Sequence, residues 1–187
     1  VAEETGLINE IGNWVFEKAA QQSARWRSQF GVEIQISINK SPIQVRDEGV
    51  TFADWLSLLR HLDLSSNAIC VEITEGLLLD ASMGVTDKLL AYRDAGIQVS
   101  LADFGTGYSS LSMLKTFPVD ILKIDRAFVK DISESNEARN IADAILALGH
   151  ALDLTIVAEG IETDNQLVYF RDRNCHLIQG YLTGKPM

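Results

Sequence analysis

Six short apolar runs recur along the chain, rich in strand-forming residues, and periodic helical stretches lie between them. The runs fall at Glu33 to Asn39, Ala68 to Ile73, Ile97 to Leu101, Asp120 to Ile124, Leu154 to Ala158 and Cys175 to Gln179. Helical periodicity marks Leu7 to Ala19, Thr51 to His61, Met83 to Ala95, Glu134 to Leu152 and Thr163 to Arg173, and Thr163 with Gln166 has the form of a capping box. Parallel strands need a long crossover, usually a helix, so this alternation predicts an α/β domain built on a parallel sheet.

A polar residue stands near the carboxyl end of every run: Asn39, Glu72, Asp103, Lys123, Glu159 and Gln179. In a (β/α)8 barrel those ends ring one mouth, where the fold places its chemistry. An open doubly wound sheet would serve its crevice from only two or three strands. Six contributing strands therefore favour a TIM-like barrel, incomplete at the N-terminus, with about two of the eight strands expected upstream of Val1. Residues 1–187 are expected to form a single domain.

Charge narrows the ligands. With 26 acidic against 16 basic side chains, a net charge of −10 disfavours nucleic-acid polymers, which are held mainly by Lys and Arg. A small phosphorylated ligand remains open, because carboxylates can hold divalent cations that hold phosphate. Cys70 and Cys175 lie far apart without a CxxC spacing, which predicts buried free thiols in a reducing, cytoplasmic setting. No apolar run reaches 18 residues and Val1-Ala2-Glu3-Glu4 has no basic n-region, so neither a membrane segment nor a signal peptide is expected.

Glu72, Asp103 and Glu159 supply carboxylates, Asn39 and Gln179 neutral oxygens, and Lys123 a cation or proton donor. Oxygen-only ligands suit magnesium, calcium or manganese better than zinc, and a metal pair can stabilise both oxygens of a phosphodiester displacement. Two carboxylates on barrel strands would also serve a glycoside hydrolase, and Lys123 a Schiff-base aldolase, but neither explains all six polar ends. The Phe104 to Ser110 loop reads by itself as a glycine-rich turn. His61, His150 and His176 share no metal spacing, while Trp14, Trp26, Trp55 and Met113 read as core or half-buried packing.

The phrases VEITE at Val71 to Glu75, ADFGTGYSSLSMLKTFPVDILKIDRAFV at Ala102 to Val129, VAEGIET and CHLIQGYLTGKPM resemble the EAL-domain family over essentially the whole chain. The resemblance implies a cyclic di-GMP phosphodiesterase that opens its substrate to linear pGpG at a two-metal site, with Mg2+ or Mn2+, in a modified (β/α)8 barrel. It further implies that Asn39, Glu72 and Asp103 bind metal, that Lys123 is the active-site lysine and that Glu159 serves the metal-bound water. Gln179 resembles the glutamine at the same mouth, and Glu75 the glutamate that anchors the loop Gly105 to Ser110 and couples the site to homodimerisation. A sensory or GGDEF domain upstream is a further implied partner.

Two departures accompany the likeness. The segment carrying the EAL motif itself, with its metal-binding glutamate, is not in this chain. Ala102 stands where the family has the aspartate that bridges both metals, and a methyl group offers no ligand. Without that carboxylate the repulsion between two cations is less screened, so the chain as written is expected to be inactive as an enzyme. A degenerate module that binds cyclic di-GMP as a receptor, and a ligand-free regulatory or dimerisation module, are the alternatives.

Overall fold

Helix α1 spans Leu7–Phe30, well past the stretch to Ala19 expected from periodicity, because nothing between Ala20 and Phe30 interrupts a helix. Gly31 then ends it with φ 72°, its N–H donating to the Arg27 carbonyl at 2.9 Å. The computed structural model describes residues 1–46, 52–79, 83–105, 114 and 116–186. In chain order the further elements are β1 (Ile36–Asn39), α2 (Pro42–Arg46), α3 (Phe52–His61), β2 (Ile69–Thr74), α4 (Glu75–Leu79), α5 (Met83–Asp94) and β3 (Gln98–Phe104). These are followed by β4 (Ile121–Ile124), α6 (Arg126–Lys130), α7 (Asn136–Ala151), β5 (Thr155–Glu159), α8 (Asp164–Arg171) and β6 (Leu177–Gln179). All six expected strands form, trimmed or extended by a few residues, and three short helices join them at α2, α4 and α6. Five-residue helices are too brief to show a period in the sequence.

Two units divide the chain, one made of Val1–Ile73 and Asp80–Val99, the other of Thr74–Leu79 and Ser100–Met187. In the first, β1 and β2 pair in parallel, with Ile38 opposite Val71 and Asn39 opposite Glu72. β2 is buried along Ile69 to Ile73, as the continuous apolar run requires. Helix α1 turns Phe16, Ala19, Ala20 and Ser23 inward, and the Ser23 hydroxyl donates to the Ile34 carbonyl at 2.8 Å. Phe16 stacks on Trp55 of α3 with ring centroids 3.9 Å apart, a burial that contributes about 2 to 3 kcal/mol for the Phe side chain. Trp55 is thus core and Trp26 half-buried, but Trp14 is 59% exposed, against the expectation of packing.

The second unit takes β3 from Ser100 onward and adds β4, β5 and β6, each paired in parallel with the next. β3 slips by one residue against β4 between Leu101 and Phe104, a bulge in which Asp103 adopts φ 56°. Helix α7 is capped by the Ser135 hydroxyl and lies with Gly149 against Ile156 and Leu122. An added Cβ there would sit 2.7 Å from Ile156, so the glycine permits the close approach of helix and strand. The Thr163 and Gln166 capping box forms at the start of α8. Cys70 is buried as expected, whereas Cys175 is only half-buried, two residues before the short edge strand β6.

Candidate metal and ligand site

Strand ends of the second unit bring the chemistry together. Asp103 leaves the β3 bulge half-buried, and the end of β5 supplies Glu159. Asp125, immediately after β4, caps α6 by accepting the Ala127 N–H at 2.7 Å. One oxygen from each of Asp103, Asp125 and Glu159 lies within 4.8 Å of the others. Among the described residues this is the only group of three or more His, Cys, Asp or Glu side chains close enough to share a cation. Lys123, 5% exposed on β4, forms an ion pair with Glu159. Three carboxylates against one ammonium leave an excess of negative charge, and a donor set of oxygen alone fits a hard divalent cation such as Mg2+, Mn2+ or Ca2+.

Asp125 is absent from the residues singled out in the sequence. Its signal was the polar residue just past the apolar run ILKI, overshadowed there by Lys123, and its N-cap bond is what turns it toward the cluster. Gln179 sits opposite Glu159 in the β5 to β6 register. The two line a cleft of about 200 Å³ together with Arg126, Gly160, Glu162 and Tyr181. Its walls are tied by main chain: Ile161 N–H donates to the Gln179 carbonyl and Leu182 N–H to the Ile161 carbonyl, both at 3.0 Å. Gly160, at φ 72°, backs onto Arg126, whose Cβ would lie 2.6 Å from an added methyl.

Glu75, 4% exposed, accepts the Gly105 N–H at 3.2 Å. Residues 106–110 of the loop expected to respond to it, together with Leu111 and Met113 of the expected pairing surface, lie outside the described residues. Ala102, 4% exposed, precedes Asp103 on β3. His61, His150 and His176 are all exposed; His150 and His176 meet edge to face at 5.4 Å, and the Nδ1 of His176 accepts the Ile156 N–H.

In the first unit the ends of β1 and β2 hold the other two expected ligands. Asn39 is exposed and Glu72 is 9% exposed, side by side in the register. The residue after Asn39, Lys40, donates its N–H to the Glu72 carbonyl at 2.8 Å and its ammonium to the Tyr92 hydroxyl at 2.6 Å. Burial, with Lys88 nearby, lowers the Lys40 pKa to about 8, and burial also raises that of Tyr92. Along α1 and β1 runs an open groove of about 640 Å³ whose lining includes Trp14, Lys18, Trp26, Ile36 and Asn39. No described helix is long and apolar enough to cross a membrane.

Within each unit the strands run parallel with oxygen donors at their carboxyl ends, as in α/β domains of the barrel class. The chain belongs to the EAL domain family, which matches residues 1–186. MucR of Pseudomonas aeruginosa, a bifunctional diguanylate cyclase/cyclic di-GMP phosphodiesterase, is 39% identical over 190 residues, covering 100% of this chain and 27% of that protein. The structure of that phosphodiesterase with cyclic di-GMP superposes at a TM-score of 0.91 and 36% identity, over 100% of this chain and 75% of the other. BlrP1 of Klebsiella pneumoniae, in a manganese and cyclic di-GMP complex, gives 0.78 at 28% identity, over 89% of this chain and 42% of the other. These likenesses establish the α/β, TIM-barrel-like fold expected from the strand ends. The chain spans about a quarter of the length of the curated relatives it matches.

Proposed function

We propose that residues 1–187 act as one EAL-type domain that binds cyclic di-GMP at a site organised by Mg2+ or Mn2+, and that Ala102 leaves its hydrolysis to pGpG weak or absent. The meeting of Asp103, Asp125 and Glu159 beside Lys123 carries this reading. A bound divalent cation there would supply stabilisation of charge on the phosphoryl oxygens. In this reading Glu159 accepts a proton from attacking water, and Lys123, its ion-pair partner, orients that carboxylate while offering N–H donors to a negative oxygen. Gln179 would hold the dinucleotide in the cleft, Glu75 would fix the start of the glycine loop through Gly105, and in the first unit Asn39 and Glu72 would offer oxygen ligands of their own.

The test is a calorimetric titration with cyclic di-GMP, with and without Mn2+, beside an assay for pGpG, on a longer form that also carries the EAL-motif glutamate, with Ala102 and as Ala102→Asp. The reading expects Mn2+-dependent binding by both forms and a rate at least about a hundred-fold higher for the Asp form, which restores a second anionic ligand next to Asp103. Binding by both forms without turnover in either would instead favour a receptor, the second reading that Ala102 supports. If neither form binds, the assignment is wrong. The same reading places the domain in the cytoplasm, within a longer signalling protein and paired with a second copy; a monomer in sedimentation well above micromolar concentration would oppose the pairing, and fractionation the location.

A further inference from the structure

We propose that Lys40 is a positioning residue: its ammonium, caged by aromatic rings, fixes the end of β1 so that Asn39 and Glu72 present their oxygens as a pair. The value of that pair rests on the reading of Asn39 and Glu72 as cation ligands; the geometry itself does not. Lys40 follows Asn39 directly, where β1 ends, and successive side chains of a strand leave on opposite faces. Asn39 is exposed, while the Lys40 side chain runs into the first unit and ends 4.1 Å from the centroid of the Trp55 ring and 5.2 Å from that of Tyr92.

Both rings are themselves held. Trp55 stacks on Phe16 at an interplanar angle of 9°, and Tyr92 takes Phe52 edge-on at 5.2 Å, so the anchor draws on α1, α3 and α5 together. The Tyr92 hydroxyl, accepting from Nζ at 2.6 Å, adds direction to what ring faces alone would leave free to slide. At the other end of the residue, the Lys40 N–H closes the β1 to β2 ladder on the Glu72 carbonyl. One residue therefore ties the main chain beside each expected ligand to a rigid aromatic block. A methionine or leucine would fill the same volume without taking a charge out of water. The ammonium adds what they lack, a directed bond at a fixed distance from Asn39.

Lys40→Met and Lys40→Arg on this chain test the proposal by two nuclear magnetic resonance readouts. Without metal, the Met form is expected to exchange its residue 40 amide hydrogen about ten-fold faster, after correction for intrinsic rate, with the Ile38 and Val71 amides unchanged. With Mn2+ alone as probe, paramagnetic broadening of the Asn39 side-chain NH2 signal should need about ten-fold more Mn2+ in the Met form, while the Arg form stays within about three-fold of the parent. Unchanged exchange in the Met form overturns the proposal, as does acceleration spread equally over β1 and β2, which marks general loosening. If the parent chain itself shows no broadening at Asn39, its reading as a cation ligand fails, and the exchange readout still decides the role of Lys40.

Discussion

Removing either partner of the Lys123 and Glu159 pair should have unequal effects, and the inequality tests the electrostatics of the site. Their side chains are 7% and 18% exposed, so neither charge is well served by water. Breaking a buried pair from one side costs about 3 to 5 kcal/mol, because a charge is left without compensation. Lys123→Met leaves Glu159 beside Asp103 and Asp125 with the neutralising ammonium gone. At an effective dielectric of about 20, two carboxylate charges at this separation repel by roughly 3.5 kcal/mol, so the Lys123 variant should lie at the upper end of that range. Glu159→Gln takes one partner from the ammonium but removes one of the three crowded anions, and should cost about 1 to 2 kcal/mol. Urea unfolding of both variants and the double variant in metal-free buffer gives these values and their coupling. Mn2+ should then recover about 2.7 kcal/mol in the Lys123 variant at a hundred times its dissociation constant. A Glu159 variant as damaged as the Lys123 variant, or a Lys123 variant that Mn2+ does not rescue, would refute the reasoning.

Two further outcomes follow from local geometry. Gly160→Ala forces a left-handed residue with a Cβ onto Arg126, which should cost about 2 to 4 kcal/mol in urea unfolding and weaken cyclic di-GMP binding through the displaced Glu159; a cost under about 1 kcal/mol would contradict the close approach. The Tyr169 pKa is pushed up to about 12, first by burial and then by its bond to Asp143 at 2.6 Å. Its folded value lies above the unfolded one, so its contribution to stability is full below about pH 10 and is lost as pH rises through about 12. Tyr169→Phe should therefore flatten the alkaline fall in stability, and a parallel pair of pH curves would count against it.

Strand ends were the legible part of this chain because a polar residue closing an apolar run stands out, most of all on β2 and β4, which are buried almost throughout. Asn39, Glu72, Asp103, Lys123, Glu159 and Gln179 could be read that way. Asp125 could not, since it lies one residue past its strand and owes its direction to a helix cap that forms only in the fold. The aromatic cage was equally hidden: Lys40 reads as one more surface lysine, and Trp55 and Tyr92 come to it from separate helices. Helix α1 ran past its expected end because its second half is polar enough to blur the period while containing no breaker.

The bulge in β3 gives the alanine at 102 a particular meaning. An inserted residue breaks the alternation of a strand, and Asp103 already holds the left-handed conformation that the irregularity demands. The costly part of such a corner is its backbone, and that backbone is in place. What position 102 lacks is a carboxylate, which a single codon supplies. The frame behaves as a socket kept in shape with one pin withdrawn, whereas a domain that had straightened this strand would first have to rebuild its main chain before a carboxylate at 102 could take its place.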